Sequence, residues 1–165
     1  MIITDTDSLV IRPATETDID AITALMHRSW FTTWAPELPL PAVRIYAEKD
    51  PDRRYIDVHW AGFRISEMKG RMVGLYHADG DLLAEIHVDP RFKRQGIGTA
   101  MIAEAEHRIF TSHGTARLEV RAFNTDAQAF YHQRGWTEAR RFIGDICGTP
   151  VETIEMVKRC HSAER

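Results

Sequence analysis

The sequence predicts an α/β (α+β) fold, in which a mixed but mostly antiparallel sheet is flanked by about four helices. Several segments carry apolar residues at every second position and are separated by turn residues, which is typical of strands. Other segments repeat apolar residues at helical spacing. The length of 165 residues suits one domain, and no repeat, low-complexity stretch or linker divides the chain. We therefore expect residues 1–165 to form a single domain.

The first third of the chain predicts one strand and two helices. Ser8–Pro13 alternates apolar and polar residues and ends at a proline, as a short strand does. A helix follows because apolar residues share one helical face: Ile19, Ile22, Leu25 and Met26. The proline-rich residues 34–41 interrupt it, and a second short helix is expected to end near Lys49.

The middle of the chain predicts three antiparallel strands. Phe63–Met68 and Met72–His77 are separated by a Lys69-Gly70 turn, and the Asp79-Gly80 pair is a hairpin signal before Leu82–Val88. Strands joined by such short turns pair in antiparallel fashion, so these segments form a meander.

The last third predicts two helices and three strands. In chain order these are a helix beginning near Gly98, the strand Ala116–Ala122, the helix Asp126–Arg134, and strands near Trp136–Ile143 and Val151–Lys158. The predicted order over the whole chain is β-α-α-β-β-β-α-β-α-β-β.

Composition and charge argue against several classes of protein. The net charge of −3, with no long block of one sign, gives no indication of nucleic-acid binding. The N-terminus does not resemble a signal peptide, and no apolar stretch reaches the ~20 residues that cross a bilayer, so we expect a cytoplasmic protein without membrane contact. The two cysteines and eight histidines lack metal-ligand spacing, and we expect no bound metal.

The segment Val88–Ala100 joins a predicted strand to a helix through a basic loop that contains Gly96 and Gly98. Glycines let the backbone approach an anion, and the N–H groups at a helix N-terminus attract negative charge. Arg91, Lys93 and Arg94 add positive charge. We expect a phosphate or pyrophosphate here, although the same glycines also suit a tight turn that serves packing alone. Neither a dinucleotide-binding fingerprint nor a Gly-Lys-Ser/Thr phosphate loop is complete in this segment.

A second segment, Leu118–Trp136, follows, and the two segments together resemble the GNAT superfamily of N-acetyltransferases. That family has a Val-x-Pro strand end, seen here at Val88–Pro90, and a (Gln/Arg)-x-x-Gly-x-(Gly/Ala) loop, in which Lys93 replaces Gln or Arg. It continues with a strand, an Asn, a Phe-Tyr pair and Gly-Phe, which here are Asn124, Phe130-Tyr131 and Gly135-Trp136.

Within the superfamily, Leu118–Ala122 followed by Asn124 and Tyr131 is most similar to the ribosomal-protein N-terminal alanine acetyltransferases. This closer similarity covers the cofactor-binding half alone. The wider resemblance extends from about Ser8 to Lys158. It implies an acetyl-CoA-dependent N-acetyltransferase.

The resemblance also implies a set of acyl-CoA-binding residues. Backbone groups of the third meander strand would hold the pantetheine arm, and one of their N–H groups would polarise the thioester carbonyl. The basic loop would bind the pyrophosphate, and Asn124 would bridge the arm and the last helix or simply cap that helix. The implied residues are Ile86, His87, Val88, Lys93, Arg94, Gln95, Gly96, Ile97, Gly98, Thr99, Asn124 and Tyr131.

A general acid and a general base are implied as well. Tyr131 is the expected acid for the departing CoA thiolate, and core packing is the alternative role of its ring. Glu119 is the candidate base for the amine proton, although Arg117 and Arg121 on the same face of its strand offer ion pairs instead. The rival bases are Glu85, His87 and water. Since neither cysteine has the context of a nucleophile, we expect direct attack by the amine in a ternary complex.

The expected acceptor is a small-molecule primary amine, bound by the first two helices, their proline-rich connection and the last hairpin. Trp30, Phe31 and Trp34 are candidates for its pocket, but aromatic residues at such spacing are more often core, and we favour that role. A peptide N-terminus is the alternative acceptor, and a non-catalytic acyl-CoA-binding or sensing module is the alternative function. The resemblance is also compatible with a homodimer.

Overall fold

The computed structural model describes residues 8–161, which form one seven-stranded sheet and its flanking helices. The strand order across the sheet is β1-β2-β3-β4-β5-β7-β6. The strands are β1 (Val10–Pro13), β2 (Phe63–Met68), β3 (Arg71–Asp79), β4 (Leu82–Val88), β5 (Thr115–Arg121), β6 (Thr137–Ile146) and β7 (Thr149–Arg159). The helices are α1 (Ile19–Thr33), α2 (Leu40–Lys49), α3 (Pro51–His59), α4 (Ile97–Phe110) and α5 (Thr125–Gln133).

The sheet changes character between β4 and β5. Every other neighbouring pair is antiparallel, whereas β4 and β5 run parallel and are in register at one described pair, Leu82 with Arg117. Beyond this pair the two strands diverge. The divergence leaves the backbone of β4 facing an opening in the sheet.

Helices cover both faces of the sheet. Because side chains alternate along a strand, Leu75 of β3 packs against α1 and α3, and the adjacent Tyr76 packs in the cluster around α4 and α5. The first cluster contains Ile22 and Ile56, both fully buried. The second includes Leu118 of β5. The result is a three-layer α/β architecture of the predicted class.

The predicted order of elements is confirmed except that residues 51–59 form an additional helix, α3. Asp50 adopts a left-handed conformation (φ +43°), ends α2, and accepts a hydrogen bond from the backbone N–H of Arg53 at the start of α3. Pro51 lies at the first helical position, where its missing N–H costs nothing. Ile56 is the one buried residue of α3, so its apolar periodicity was too weak to predict it.

Candidate functional site

A cleft opens where β4 and β5 diverge. Its volume is about 1060 Å³. One end is bordered by the loop between β4 and α4, and the other by the last turns of α1, the α2–α3 junction and the tip of the β6–β7 hairpin. Both sequence segments that carry the family resemblance contribute to its walls.

A buried carboxylate holds the loop that follows β4. The Asp89 side chain accepts hydrogen bonds from the backbone N–H of Arg91 (2.9 Å) and from the guanidinium groups of Arg91 and Arg28 (both 2.8 Å). Burial alone would raise its pKa, but these hydrogen bonds prevail and lower the pKa of Asp89 to about 2. Asp89 therefore remains ionised and ties α1 to the loop.

Two left-handed residues shape the rest of this loop. Arg94 has φ +63°, and Gly96, the residue that caps α4, has φ +79°. Left-handed residues in a turn direct backbone N–H groups into a concavity that binds anions, and here the concavity meets the positive end of the α4 dipole. The strain at Arg94, a residue with a Cβ, is of the kind found at ligand-binding sites. The loop therefore has the backbone geometry of a phosphate site.

Most of the predicted loop residues border the cleft. Those that do are Lys93, Arg94, Gly96, Ile97, Gly98 and Thr99. Gln95 lines a separate depression beside Arg71 instead. Arg134 of the α5 C-terminus, which the sequence analysis missed, donates a hydrogen bond to the Thr99 hydroxyl (2.5 Å) and lies over the Phe130 ring (3.7 Å). It adds a third cation to this end of the cleft.

Asn124 and Gln128 join the end of β5 to α5. Asn124 is the N-cap of α5, and its side-chain oxygen accepts a hydrogen bond from the backbone N–H of Ala127 (3.2 Å). Asn124 therefore has the helix-capping role, and it also borders the cleft. Gln128, another residue missed from sequence, donates to the carbonyl of Ala122 (2.9 Å). These contacts fix the start of α5 against the cleft wall.

An irregularity in β4 orients its polar side chains. His77 of β3 is opposite Glu85, but the next β3 residue, Ala78, is opposite Leu83, so Ala84 is an extra residue. Because side-chain direction alternates, the bulge turns Glu85 and His87 away from the face on which Leu83 packs. They face α1 as a result.

His87 is buried and hydrogen-bonded through both ring nitrogens. Its Nε2 lies 2.7 Å from a Glu85 carboxylate oxygen, and its Nδ1 lies 2.8 Å from the Ser29 hydroxyl on α1. An ionised carboxylate can only accept, so Nε2 carries a hydrogen and, in neutral His87, Nδ1 accepts from Ser29. All three residues border the cleft.

The ring of Tyr131 packs in the core and also borders the cleft. It contacts Phe130 and Trp136 and is 8% exposed, so the core role considered for it is present. Burial, and then the negative charge of Glu85, raise the pKa of Tyr131 above its usual range. Its hydroxyl is therefore protonated at neutral pH and can donate a proton.

Glu119 projects from β5 into the open part of the cleft and is exposed. The ion pairs considered for it are not formed. Arg117 pairs with Asp81 (3.0 Å), and Arg121 donates to the Thr153 hydroxyl (2.6 Å). Glu119 thus lies at the cleft without either arginine as a partner.

The far end of the cleft combines aromatic rings with a carboxylate. Trp30 stacks on Tyr46 with ring centroids 3.6 Å apart, and the Tyr46 hydroxyl donates to Asp52 (2.5 Å). Trp34 meets the His87 ring edge-on. The core role favoured for the three aromatic residues fits Trp30, which is 5% exposed although it also borders the cleft. Trp34 lines the cleft, and Phe31 lies outside it and is 45% exposed.

The described chain gives no indication of a metal site or a membrane span. Within residues 8–161, no group of three or more His, Cys, Asp or Glu side chains is arranged to hold a metal ion. No helix in the same range is long and apolar enough to cross a bilayer.

Solved structures of other proteins share this fold. A GCN5-related N-acetyltransferase from Rhodopseudomonas palustris has a TM-score of 0.79 at 20% identity, over 97% of this chain and 99% of that one. The PaiA N-acetyltransferase of Thermoplasma acidophilum in complex with coenzyme A has a TM-score of 0.73 at 17% identity, over 93% and 99%. At these identities the likeness establishes a shared fold.

A third structure bears on the closer resemblance found in the cofactor-binding half. The ribosomal-protein-S18-alanine N-acetyltransferase of Escherichia coli has a TM-score of 0.70 at 21% identity, over 95% of this chain and 97% of that one. No curated protein matches the sequence significantly.

The family is decided by the match of a family model rather than by any single relative. The model of the acetyltransferase (GNAT) family matches residues 20–136, which contain the cleft loop, β5 and α5. The resemblance inferred from the sequence is confirmed, and the chain belongs to the GNAT family of acetyltransferases.

Proposed function

We propose that this protein is an acetyl-CoA-dependent N-acetyltransferase, in which a small-molecule primary amine attacks the thioester directly in a ternary complex. The observation that carries the proposal is the divergence of β4 and β5 beside a basic loop with two left-handed residues, with Tyr131 also bordering the cleft. Acetyl-CoA is long and anionic at one end, and its extended arm carries amide groups that can form hydrogen bonds. A cleft of about 1060 Å³ that is basic at one end suits such a substrate.

The fit for acetyl-CoA rests on this chain's own groups. Backbone N–H groups around Arg94 and Gly96 and the side chains of Lys93 and Arg134 would bind the pyrophosphate. The backbone of residues 86–88, unpaired on the side of β5, offers donors and acceptors to an extended pantetheine arm, as an edge strand does to a peptide. Apart from that of Arg134, these roles are the ones expected from the sequence.

Tyr131 is the proposed general acid. In the overall reaction an amide C–N bond forms, the thioester C–S bond breaks, the amine loses a proton and the CoA thiolate gains one. Burial keeps the Tyr131 hydroxyl protonated, so that it can donate its hydrogen to the thiolate as the C–S bond breaks. Phe130 and Trp136 hold the ring, so the hydroxyl is positioned before the substrate binds.

The Glu85–His87 pair is the proposed general base. Glu85 is near enough to Tyr131 for its charge to raise the pKa of the tyrosine, so acid and base face the same part of the cleft. His87 donates a hydrogen bond to Glu85 and Ser29 fixes the imidazole, so the carboxylate is held in place to accept the amine proton. A carboxylate beside the thioester would also attract a protonated amine.

Glu119 is the alternative base. It borders the same cleft from β5 and is free of the ion pairs to Arg117 and Arg121 that would have given it a purely structural role. Its exposure argues for a smaller contribution, because a base exposed to water is tuned less by its surroundings. A comparison of Glu85→Gln with Glu119→Gln separates the two.

The buried aromatic cluster at the acceptor end of the cleft favours a small acceptor over a peptide. Trp30, Tyr46 and Ile146 form a buried cluster there, joining α1 and α2 to the last hairpin. A peptide N-terminus, suggested by the likeness of Leu118–Ala122 to ribosomal-protein acetyltransferases, needs a groove that continues past this cluster.

The test is steady-state release of CoA thiol from acetyl-CoA with a panel of primary amines and a panel of N-terminal peptides. The proposal expects saturable, amine-dependent release with small amines preferred. Preference for peptides would move the assignment to a protein N-terminal acetyltransferase. Saturable acetyl-CoA binding without turnover of either panel would indicate a sensing module.

A further inference from the structure

We propose that the acceptor end of the cleft selects a diamine, and that Asp52 is the specificity-determining residue that binds its second, unreacting ammonium group. This inference rests on the proposed acetyltransferase function and names the substrate class of that site. The charges that line the cleft change sign from one end to the other.

The phosphate end is cationic, with Lys93, Arg94 and Arg134. At the acceptor end the lining carboxylates are Asp52, Glu85 and Asp145. Asp52 and Asp145 both act on the pKa of Cys147 at the hairpin tip, which places the two carboxylates around one point. A field of this sign attracts cationic ligands and repels anionic ones.

Asp52 differs from two other carboxylates of its chain segment, which are paired with basic side chains. Its neighbour Asp50 pairs with His27 (2.8 Å), and Asp57 on the same helix pairs with Arg53 (2.9 Å). Among the ion pairs of residues 8–161, none includes Asp52. Its hydrogen bond from the Tyr46 hydroxyl supplies no positive charge.

Asp52 lies in a partly buried environment, in which an unpaired negative charge is unfavourable. Burial, with the nearby charge of Glu85, raises the pKa of Asp52, although the hydrogen bond from Tyr46 works in the opposite direction. A carboxylate in this situation is stabilised by a cation much more than an exposed carboxylate is. In the proposed mechanism the reacting nitrogen lies at Glu85, so a cation held at Asp52 would be a second ammonium group on the same molecule.

Aromatic rings border the path between these two carboxylates. Trp34 lies against His87 beside Glu85, and Tyr46 stacked on Trp30 leads to Asp52. Trp34, the more exposed of these rings, can pack against an alkyl chain and stabilise an ammonium group, whereas Trp30 and Tyr46 are largely buried against each other. The two carboxylates would each bind one ammonium group of a diamine, and the aromatic residues between them would contact its methylene chain.

The experiment compares kcat/KM for α,ω-diamines and for alkyl monoamines of equal chain length, in the wild type and in Asp52→Asn. Because a charged hydrogen bond is worth roughly 1.5–3 kcal/mol, the wild type should prefer the diamine about tenfold or more. Asp52→Asn, which keeps an acceptor for the Tyr46 hydroxyl, should reduce this ratio to about one on the same basis. Asp57→Asn, an exposed change on the same helix, is the matched control and should leave the ratio unchanged.

Equal kcat/KM for the two amine classes in the wild type would overturn the inference while leaving the acetyltransferase function intact. A ratio unchanged in Asp52→Asn, even with lower activity, would overturn the assignment of Asp52. Calorimetric titration of the diamine into the enzyme saturated with CoA supplies a readout independent of turnover. Weaker binding to Asp52→Asn than to Asp57→Asn is expected there, and equal binding would contradict the proposal.

Discussion

The Nε2 atom of His87 lies 2.7 Å from a carboxylate oxygen of Glu85, two positions earlier on the same strand. The bulge at Ala84 makes this pair possible at the cleft, because it turns both side chains toward α1. A hydrogen-bonded acid–imidazole pair beside the divergence of β4 and β5 is the basis of the proposed general base.

Glu85→Gln is expected to lower kcat by about 10²–10⁴-fold, the range that a positioned general base contributes. The amide can still accept a hydrogen bond from His87, so the fold is retained and the loss falls on the chemical step. Stopped-time assays of thiol release with a saturating amine measure it. Glu119→Gln serves as the comparison, and a larger loss in Glu119→Gln would transfer the role of base to Glu119.

Tyr131→Phe is expected to reduce kcat by roughly 10²-fold and to change acetyl-CoA affinity little. The phenylalanine ring keeps the packing against Phe130 and Trp136, and only the proton donor is lost. Steady-state kinetics and calorimetric binding of acetyl-CoA separate the two effects. Full activity in a folded Tyr131→Phe would remove this residue from the mechanism.

Gly96→Ala is expected to weaken acetyl-CoA binding and to destabilise the fold by about 1–2 kcal/mol, because Gly96 has φ +79° at the start of α4. Gly80→Ala is the matched control. Gly80 also has a positive φ (+60°), but it lies in the β3–β4 turn, at the opposite end of β4 from the loop. Both variants should unfold at lower urea concentration, and only Gly96→Ala should lose affinity. Equal loss of affinity in both would refute the loop as the phosphate site.

The free energy of unfolding is expected to fall as pH drops from about 4 to about 2. Hydrogen bonds from Arg91 and Arg28 outweigh burial and depress the pKa of Asp89 to about 2 from an ordinary 3.8. A depressed carboxyl pKa gives stability that is fully present above the unfolded-state pKa and is lost as pH falls toward the folded-state value. For Asp89 the loss is roughly 2 kcal/mol.

Urea titrations at neutral and acidic pH measure this loss. Asp89→Asn should be less stable at neutral pH, since Arg28 and Arg91 lose their buried partner, and it should show a shallower decline below pH 4 than the wild type. A hydrogen bond from Arg12 lowers the pKa of Asp18 to about 2, so the stability that Asp18 contributes is lost at acidic pH in both proteins. Identical pH dependence in the two would contradict the account of Asp89.

Local patterns in the sequence were sufficient to predict the strands and most of the helices. Turn pairs such as Lys69-Gly70 delimited the meander, and the first helical face at Ile22 and Leu25 is the face that α1 buries. The helix α3 escaped prediction because one side chain, Ile56, carries its burial. Its start depends on the conformation of Asp50, which periodicity does not report.

The site was predicted as far as its motifs extend along the chain. The contact between Ser29 and His87 joins residues 58 positions apart, and no spacing rule indicates it. Asp52 was missed for the same reason. Its proposed role rests on its contact with Tyr46 and its position in the cleft, and its neighbours in sequence indicate neither. The bulge at Ala84 reverses the side-chain alternation of β4, so which β4 side chains face the acceptor could not be read from alternation alone.

The most direct test of the account is the initial rate of CoA thiol release, measured while acetyl-CoA and the amine are varied together. Transfer within a ternary complex predicts release that requires the amine and reciprocal plots whose lines intersect. Parallel lines would indicate a covalent acyl-enzyme and contradict direct attack. Absence of any amine-dependent release, in a protein that also fails to bind acetyl-CoA, would contradict the assignment of the cleft itself.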